Sequence, residues 1–133
     1  MKNLKNLILI LSLVFALGAA YYTFRFTNEH TRISAQDARL MMIDENREVI
    51  VLDVRTQMEF EMGHIEDAIN LSSGDIEEQV ENLLVDKDAT ILIYCRSGSR
   101  SNAVARIMTD LGYTNIYDFG GINGWRYGLV TDE

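Results

Sequence analysis

Two runs of apolar, largely β-branched residues constrain this chain more than anything else in it: Val49-Ile50-Val51-Leu52-Asp53-Val54 and Thr90-Ile91-Leu92-Ile93-Tyr94. Neither alternates polar with apolar, as a strand with one wet face would. Both therefore predict strands buried on two faces, the pattern of a parallel sheet covered by helices. Helical patterns stand around them. Ser34-Ala35-Gln36-Asp37 predicts a capping box that opens a helix to about Ile43, with Ala38, Met41 and Met42 toward the core. Residues 56–62 predict a short helix or turn ended by Gly63. Ile76, Val80, Leu83 and Leu84 keep helical spacing in an acidic segment, and residues 100–111 predict a helix closed by Gly112. Residues 68–71 and 115–119 read as further strands, and Gly120-Gly121 as a turn into a short last helix carrying Trp125. Strand and helix alternate throughout. The expected fold class is α/β, three layers with a central, mainly parallel sheet flanked by helices.

Residues 1–26 differ in kind. Lys2 and Lys5 precede a stretch, residues 7–24, that carries no charge. A helix of that length spans about 27 Å, close to the ~30 Å hydrocarbon core of a bilayer. Two readings stay open. Residues 7–17 followed by Gly18-Ala19-Ala20 fit a signal peptide with a small-residue cleavage site. The whole run, ending in Tyr21, Tyr22, Phe24 and Phe26, fits an anchor with an aromatic belt. Lysines on the amino side and an acidic domain beyond predict a cytoplasmic amino end and an exported remainder, periplasmic or on the cell surface. Membrane contact is then confined to residues 7–24 where the segment is retained. Residues 27–32 are left as a tether and 33–133 as the folded domain.

The chain carries 20 acidic against 12 basic residues, a net charge of −8, and its first carboxylate is Glu29. So acidic a domain is a poor partner for nucleic acid or an anionic membrane surface. Residues 95–106 reverse that balance, with arginines and no carboxylate. They open with Cys95-Arg96-Ser97-Gly98-Ser99-Arg100-Ser101, between a predicted strand and a predicted helix. Cys95 is the only cysteine, so no internal disulfide can form; intermolecular pairing, a reactive thiol or an inert buried one remain. Position favours the reactive thiol, because ligands of parallel sheets bind beyond the carboxyl ends of strands. A helix N-terminus and two guanidiniums lower a thiol's pKa. Backbone N–H groups of residues 96–100 can curl around the sulfur if Gly98 takes the turn conformation. The same groups, with Arg96 and Arg100, suit a bound oxyanion. Ser97, Ser99 and Ser101 can each donate to it, although Ser101 serves equally in the helix's first turn. This reading requires an ionised thiol that small reagents can reach.

The loop resembles the active-site loop of the rhodanese family of sulfurtransferases, and other segments match that family in order. They are Leu52-Asp53-Val54-Arg55 with Glu59-Phe60, Gly63-His64-Ile65, Ala68-Ile69-Asn70-Leu71, and Gly120-Gly121 with Gly124-Trp125. The similarity runs over residues 33–130 and implies a single rhodanese-like domain behind the apolar segment. It implies a thiosulfate sulfurtransferase in which Cys95 takes sulfur from thiosulfate or a related small anionic donor and passes it, as a persulfide, to a cyanide or thiol acceptor. Arg96, Ser97, Gly98, Ser99 and Arg100 would bind the donor, with no metal and no organic cofactor. The resemblance also favours a structural ion pair or turn cap for Asp53 and Arg55. The chain departs from the family at Glu66-Asp67, where Pro-Gly is usual, which loosens a turn. His64 is expected to be structural, His30 part of the tether, and Trp125 packed at the sheet edge or lining the site's rim. The methionines show no metal-ligand spacing. Alternatives are a non-catalytic persulfide carrier or partner-binding module, and a cysteine-dependent phosphatase or arsenate reductase. The last of these needs a Cys-x5-Arg loop, and the count from Cys95 to Arg100 is Cys-x4-Arg.

Overall fold

The computed structural model describes residues 2–27 and 29–132, and the side chains of all of these except Lys2 and residues 24–27. Asn28 of the expected tether lies outside the described residues, as do the side chains of Phe24 and Phe26 from the expected aromatic belt. Helix α1 spans Lys2–Thr27. Within it Asn3–Thr23 is long and apolar enough to cross a membrane by length and composition.

The domain follows as β1 (Thr31–Arg32), α2 (Ala35–Met42), β2 (Ile50–Asp53), α3 (Gln57–Glu61), β3 (Ile69–Asn70), α4 (Ile76–Leu83), β4 (Thr90–Cys95), α5 (Ser99–Asp110) and β5 (Asn115–Gly121), with a 3-10 turn at Ile122–Gly124. The five strands form one sheet in the order β1-β5-β4-β2-β3. Every pairing is parallel. The two apolar runs that predicted doubly buried strands are neighbours at its centre, Ile50 level with Ile91 and Asp53 with Tyr94.

Each face of the sheet has its own core. On one, Val80 and Leu84 from the α4 side and Val104, Ala105 and Met108 from α5 pack on Leu52, Val54, Ile91, Ile93 and Ile116. On the other, Ala38 of α2, backed by Met41 and Met42, packs on Val51, Leu92, Tyr94 and Phe119. Three layers result, as expected. The capping box at Ser34 forms, with its hydroxyl accepting from Asp37 N–H. Thr56 and Glu59 make a second one, which starts α3.

Some expectations need correction. Thr31 and Arg32, read as tether, form β1 and extend the sheet beside β5. His30, also read as tether, meets Asn102 Oδ1 of α5 through Nε2 at 3.0 Å. Leu83 has helical spacing with Ile76 and Val80 but is 46% exposed; Leu84, the C-cap, fills the core position instead. Trp125 follows the 3-10 turn rather than lying in it.

Candidate active site

Cys95 is the last residue of β4, level with Gly121 of β5 across an irregularity in the pairing. The chain then turns sharply into α5. Gly98 makes that turn in the left-handed region, φ 107°, where any other residue would be strained. Its N–H donates to Cys95 Sγ at 3.0 Å, and Ser101 Oγ stands 3.6 Å from the sulfur. Gly121 supplies the seat. A Cβ there would overlap the Arg96 carbonyl oxygen and come 2.7 Å from Ser97 Cα, so only glycine lets the loop settle on β5.

Burial pushes the Cys95 thiol up, but hydrogen bonds to the sulfur outweigh it. They come from Ser101, through backbone and hydroxyl, and from the N–H groups of Gly98 and Ser97. The net result is a pKa below the ordinary 9.0. Of the N–H groups of residues 96–100 expected to curl around the sulfur, that of Gly98 makes a hydrogen bond to it and that of Ser97 contributes to the lowered pKa. Hydrogen bonds, rather than the flanking arginines, lead in stabilising a thiolate.

The sulfur is less open than the sequence suggests. Cys95 is 1% exposed and joins the apolar cluster on the α4–α5 face. The loop that bonds the sulfur also roofs it. Arg96, Ser97 and Ser99 form the exposed rim, while Gly98 is buried. The side chain of Arg96 makes no hydrogen bond or ion pair among the described residues.

Arg100 is placed differently from the expectation. Its Nη1 and Nη2 donate to the two carboxylate oxygens of Glu59 at 2.8 and 2.9 Å. Hydrogen bonding from Arg100, chiefly, holds the Glu59 carboxyl at about 2. The stretch from 95 to 106 lacks carboxylates in sequence, yet the fold brings one in from α3. The Arg100 charge still reaches the sulfur electrostatically.

Asp53 and Arg55 form the structural pair expected. Arg55 Nη2 lies 2.6 Å from Asp53 Oδ2 and also donates to the Gly63 carbonyl at 2.8 Å. Asn70 ties the backbone carbonyls of both residues to β3. His64 is structural too: its ring stacks on Phe60 at 3.7 Å, and Nδ1 meets the Phe60 carbonyl at 3.0 Å. Trp125 packs on Phe119 and Tyr127. With Arg39, Met42 and Val51 it lines a separate cavity of about 290 Å³ that contains no residue of the Cys95 loop. No group of His, Cys, Asp and Glu suited to a metal ion occurs among the described residues.

The fold therefore adds contacts that the sequence does not assign: Gly121 beneath the loop, Glu59 behind Arg100, and the Ser101 hydroxyl 3.6 Å from the sulfur, within reach of the Gly98 and Gly120 carbonyls. Only Ser101 carried a local signal, a hydroxyl one helical turn beyond Gly98.

Comparison with known proteins gives a consistent picture. The rhodanese-like domain family matches residues 34–127. The thiosulfate sulfurtransferase PspE of Escherichia coli (strain K12) is 30% identical over 71 residues, 53% of this chain and 68% of that protein. The thiosulfate sulfurtransferase GlpE of Coxiella burnetii is 32% identical over 83 residues, 62% of this chain and 76% of that protein. Among solved structures, a rhodanese-related protein from Thermoplasma volcanium superposes with a TM-score of 0.67 at 27% identity, over 77% of this chain and 100% of its own. A rhodanese with anions from E. coli superposes at 0.60 and 26% identity, over 64% of this chain and 100% of its own.

Proposed function

The chain belongs to the rhodanese-like domain family, and on that premise we propose that it is a sulfurtransferase working through a persulfide on Cys95. The observation that carries the reading is the hydrogen bonding of the only thiol. Sγ accepts from Gly98 N–H at 3.0 Å, at the N-terminus of α5, and its pKa lies below the ordinary value. A thiolate so held is a nucleophile whose charge the loop already accommodates.

In the first step the Cys95 thiolate attacks the outer sulfur of thiosulfate or a related donor. A Cys95–S bond forms, the donor's sulfur–sulfur bond breaks, and sulfite leaves with the electron pair. The persulfide keeps one negative charge, which the N–H groups of the loop stabilise. In the second step an acceptor, a thiolate or cyanide, attacks the outer persulfide sulfur and returns Cys95 as thiolate. Charge and electrons balance without a metal or an organic cofactor. Arg96, Ser97, Gly98, Ser99 and Arg100 bind the donor: Arg96 from the exposed rim, Arg100 by its field, the others through N–H and hydroxyl groups. The folded domain that follows α1, from β1 onward, carries this activity on the outer side of a membrane, where α1 is either retained as an anchor or removed as a signal.

The test is the intact mass of the purified chain. Thiosulfate should add the mass of one sulfur atom, cyanide should remove it, and Cys95→Ser should never acquire it. A wild-type protein that gains no sulfur from thiosulfate overturns the reading.

A further inference from the structure

Arg100 turns both terminal nitrogens toward Glu59, so its best hydrogen-bonding edge is engaged before any anion arrives. A different guanidinium reaches the loop from the edge of the sheet. β1 pairs with β5 so that Arg32 lies level with Asp118, and Ile33 N–H donates to the Asp118 carbonyl at 3.0 Å. Ile116 packs into the cluster on the α4–α5 face, and strand alternation sets Asp118, two residues on, toward that same face. Arg32 shares it as register partner, and Cys95 packs there too. His30, one alternation before Arg32, meets Asn102 of α5. Arg32 Nη2 stands 3.2 Å from where a Cβ on Gly98 would lie, and Gly98 is the residue whose N–H holds the sulfur.

Asp118 fixes the arginine from behind. It is fully buried, and its Oδ1 accepts from Gly120 N–H at 2.9 Å. Oδ2 has no hydrogen-bond partner among the described residues. The cation facing it is Arg32, with Nε at 4.0 Å. A buried carboxylate oxygen in that state needs a neighbouring positive charge, which ties the base of the Arg32 fork to β5. Nη1 and Nη2 make no hydrogen bond among the described residues, and the side chain is 63% exposed. A planar fork offered beside a loop of N–H groups suits an oxyanion with two or three oxygens.

We propose that Arg32 is a substrate-binding residue of the Cys95 site, held over Gly98 by Asp118 to take the anionic end of the sulfur donor. The identity of that donor rests on the sulfurtransferase reading; the anion contact has a test of its own. The full chain in detergent is alkylated at Cys95 with iodoacetate, an anion, and with iodoacetamide, its neutral counterpart. Arg32→Gln should slow the iodoacetate reaction about 5–10-fold at low salt, the scale of one partly screened charge. The iodoacetamide rate should stay within about twofold, and Arg32→Lys should recover part of the loss. With thiosulfate, Arg32→Gln should raise KM by a similar factor and leave kcat nearly unchanged. An unchanged ratio of the two alkylation rates overturns the proposal, as does an equal fall in both. A wild-type Cys95 inert to both reagents also overturns it, since no anion then reaches the sulfur. Thiosulfate that fails as a substrate while the alkylation ratio shifts refutes the donor and leaves the anion contact standing.

Discussion

Arg100 and Glu59 face each other edge to edge, Nη1 to Oε2 at 2.8 Å and Nη2 to Oε1 at 2.9 Å. One carboxylate thereby does two jobs. It closes the capping box of α3 on the Thr56 N–H at 2.9 Å, and it steadies the arginine in the first turn of α5.

Glu59→Gln should cost roughly 1 kcal/mol at neutral pH, since both side chains are about one-third exposed and water screens the pair. The acid dependence has a definite sign. Glu59 titrates at about 2 in the folded chain against an ordinary 4.5. Its contribution is therefore complete above about 4.5 and fades as pH falls toward 2. Denaturant titrations at pH 7 and pH 2.5 should show the gap between wild type and Glu59→Gln closing in acid. A gap of equal size at both values would reject this account.

The thiol's own titration is the next expectation. The alkylation rate of Cys95 followed against pH should have its midpoint below 9.0. Ser101→Ala removes the hydroxyl 3.6 Å from the sulfur and should move that midpoint upward. The same change deletes contacts to the Gly98 and Gly120 carbonyls and should lower stability by only about 0.5–1.5 kcal/mol. A midpoint unaffected by the substitution would mean that Ser101 does not donate to the thiolate.

Gly121→Ala probes the seat of the loop. The added methyl meets backbone atoms of Arg96 and Ser97, which cannot swing aside as a flexible side chain can. A stability loss of about 1–3 kcal/mol is expected, with a fall in sulfur loading of at least about tenfold from the displaced N–H groups. Thermal melts and intact mass after thiosulfate measure the two effects. Normal loading in a destabilised variant would show that the loop tolerates displacement.

Asp53→Ala should be among the most damaging single changes. It strands Arg55, whose side chain is 7% exposed, without its partner, at a cost of about 3–5 kcal/mol. Replacing both residues by apolar ones of similar size should recover much of that loss. If the double variant is as unstable as the single one, the Arg55 contact with the Gly63 carbonyl matters more than charge balance.

Much of this architecture is legible in the sequence because its causes are local. Val49 to Val54 and Thr90 to Tyr94 announce central strands through unbroken apolarity, and they pair as neighbours. Ser34 and Asp37 announce a helix start through spacing alone. The loop at Cys95 is legible as well, since strand, glycine turn and helix follow one another within a few residues. What escaped is non-local or too short to leave a pattern. Thr31 and Arg32 are both exposed and make a strand of two residues, stabilised by pairing with β5 rather than by any apolar face. Glu59 and Arg100 lie 41 positions apart, and only the folded sheet brings them together. Gly121 looks like a turn residue until the loop of β4 is seen resting on it.

Cys95 stands alone, and that solitude has a chemical consequence. A thiol that has accepted a sulfur atom can be cleared by a nearby cysteine that attacks it and closes a disulfide. No such neighbour exists in this chain. On the proposed reading, sulfur held by Cys95, which is 1% exposed, leaves only when an acceptor from outside the chain comes to it.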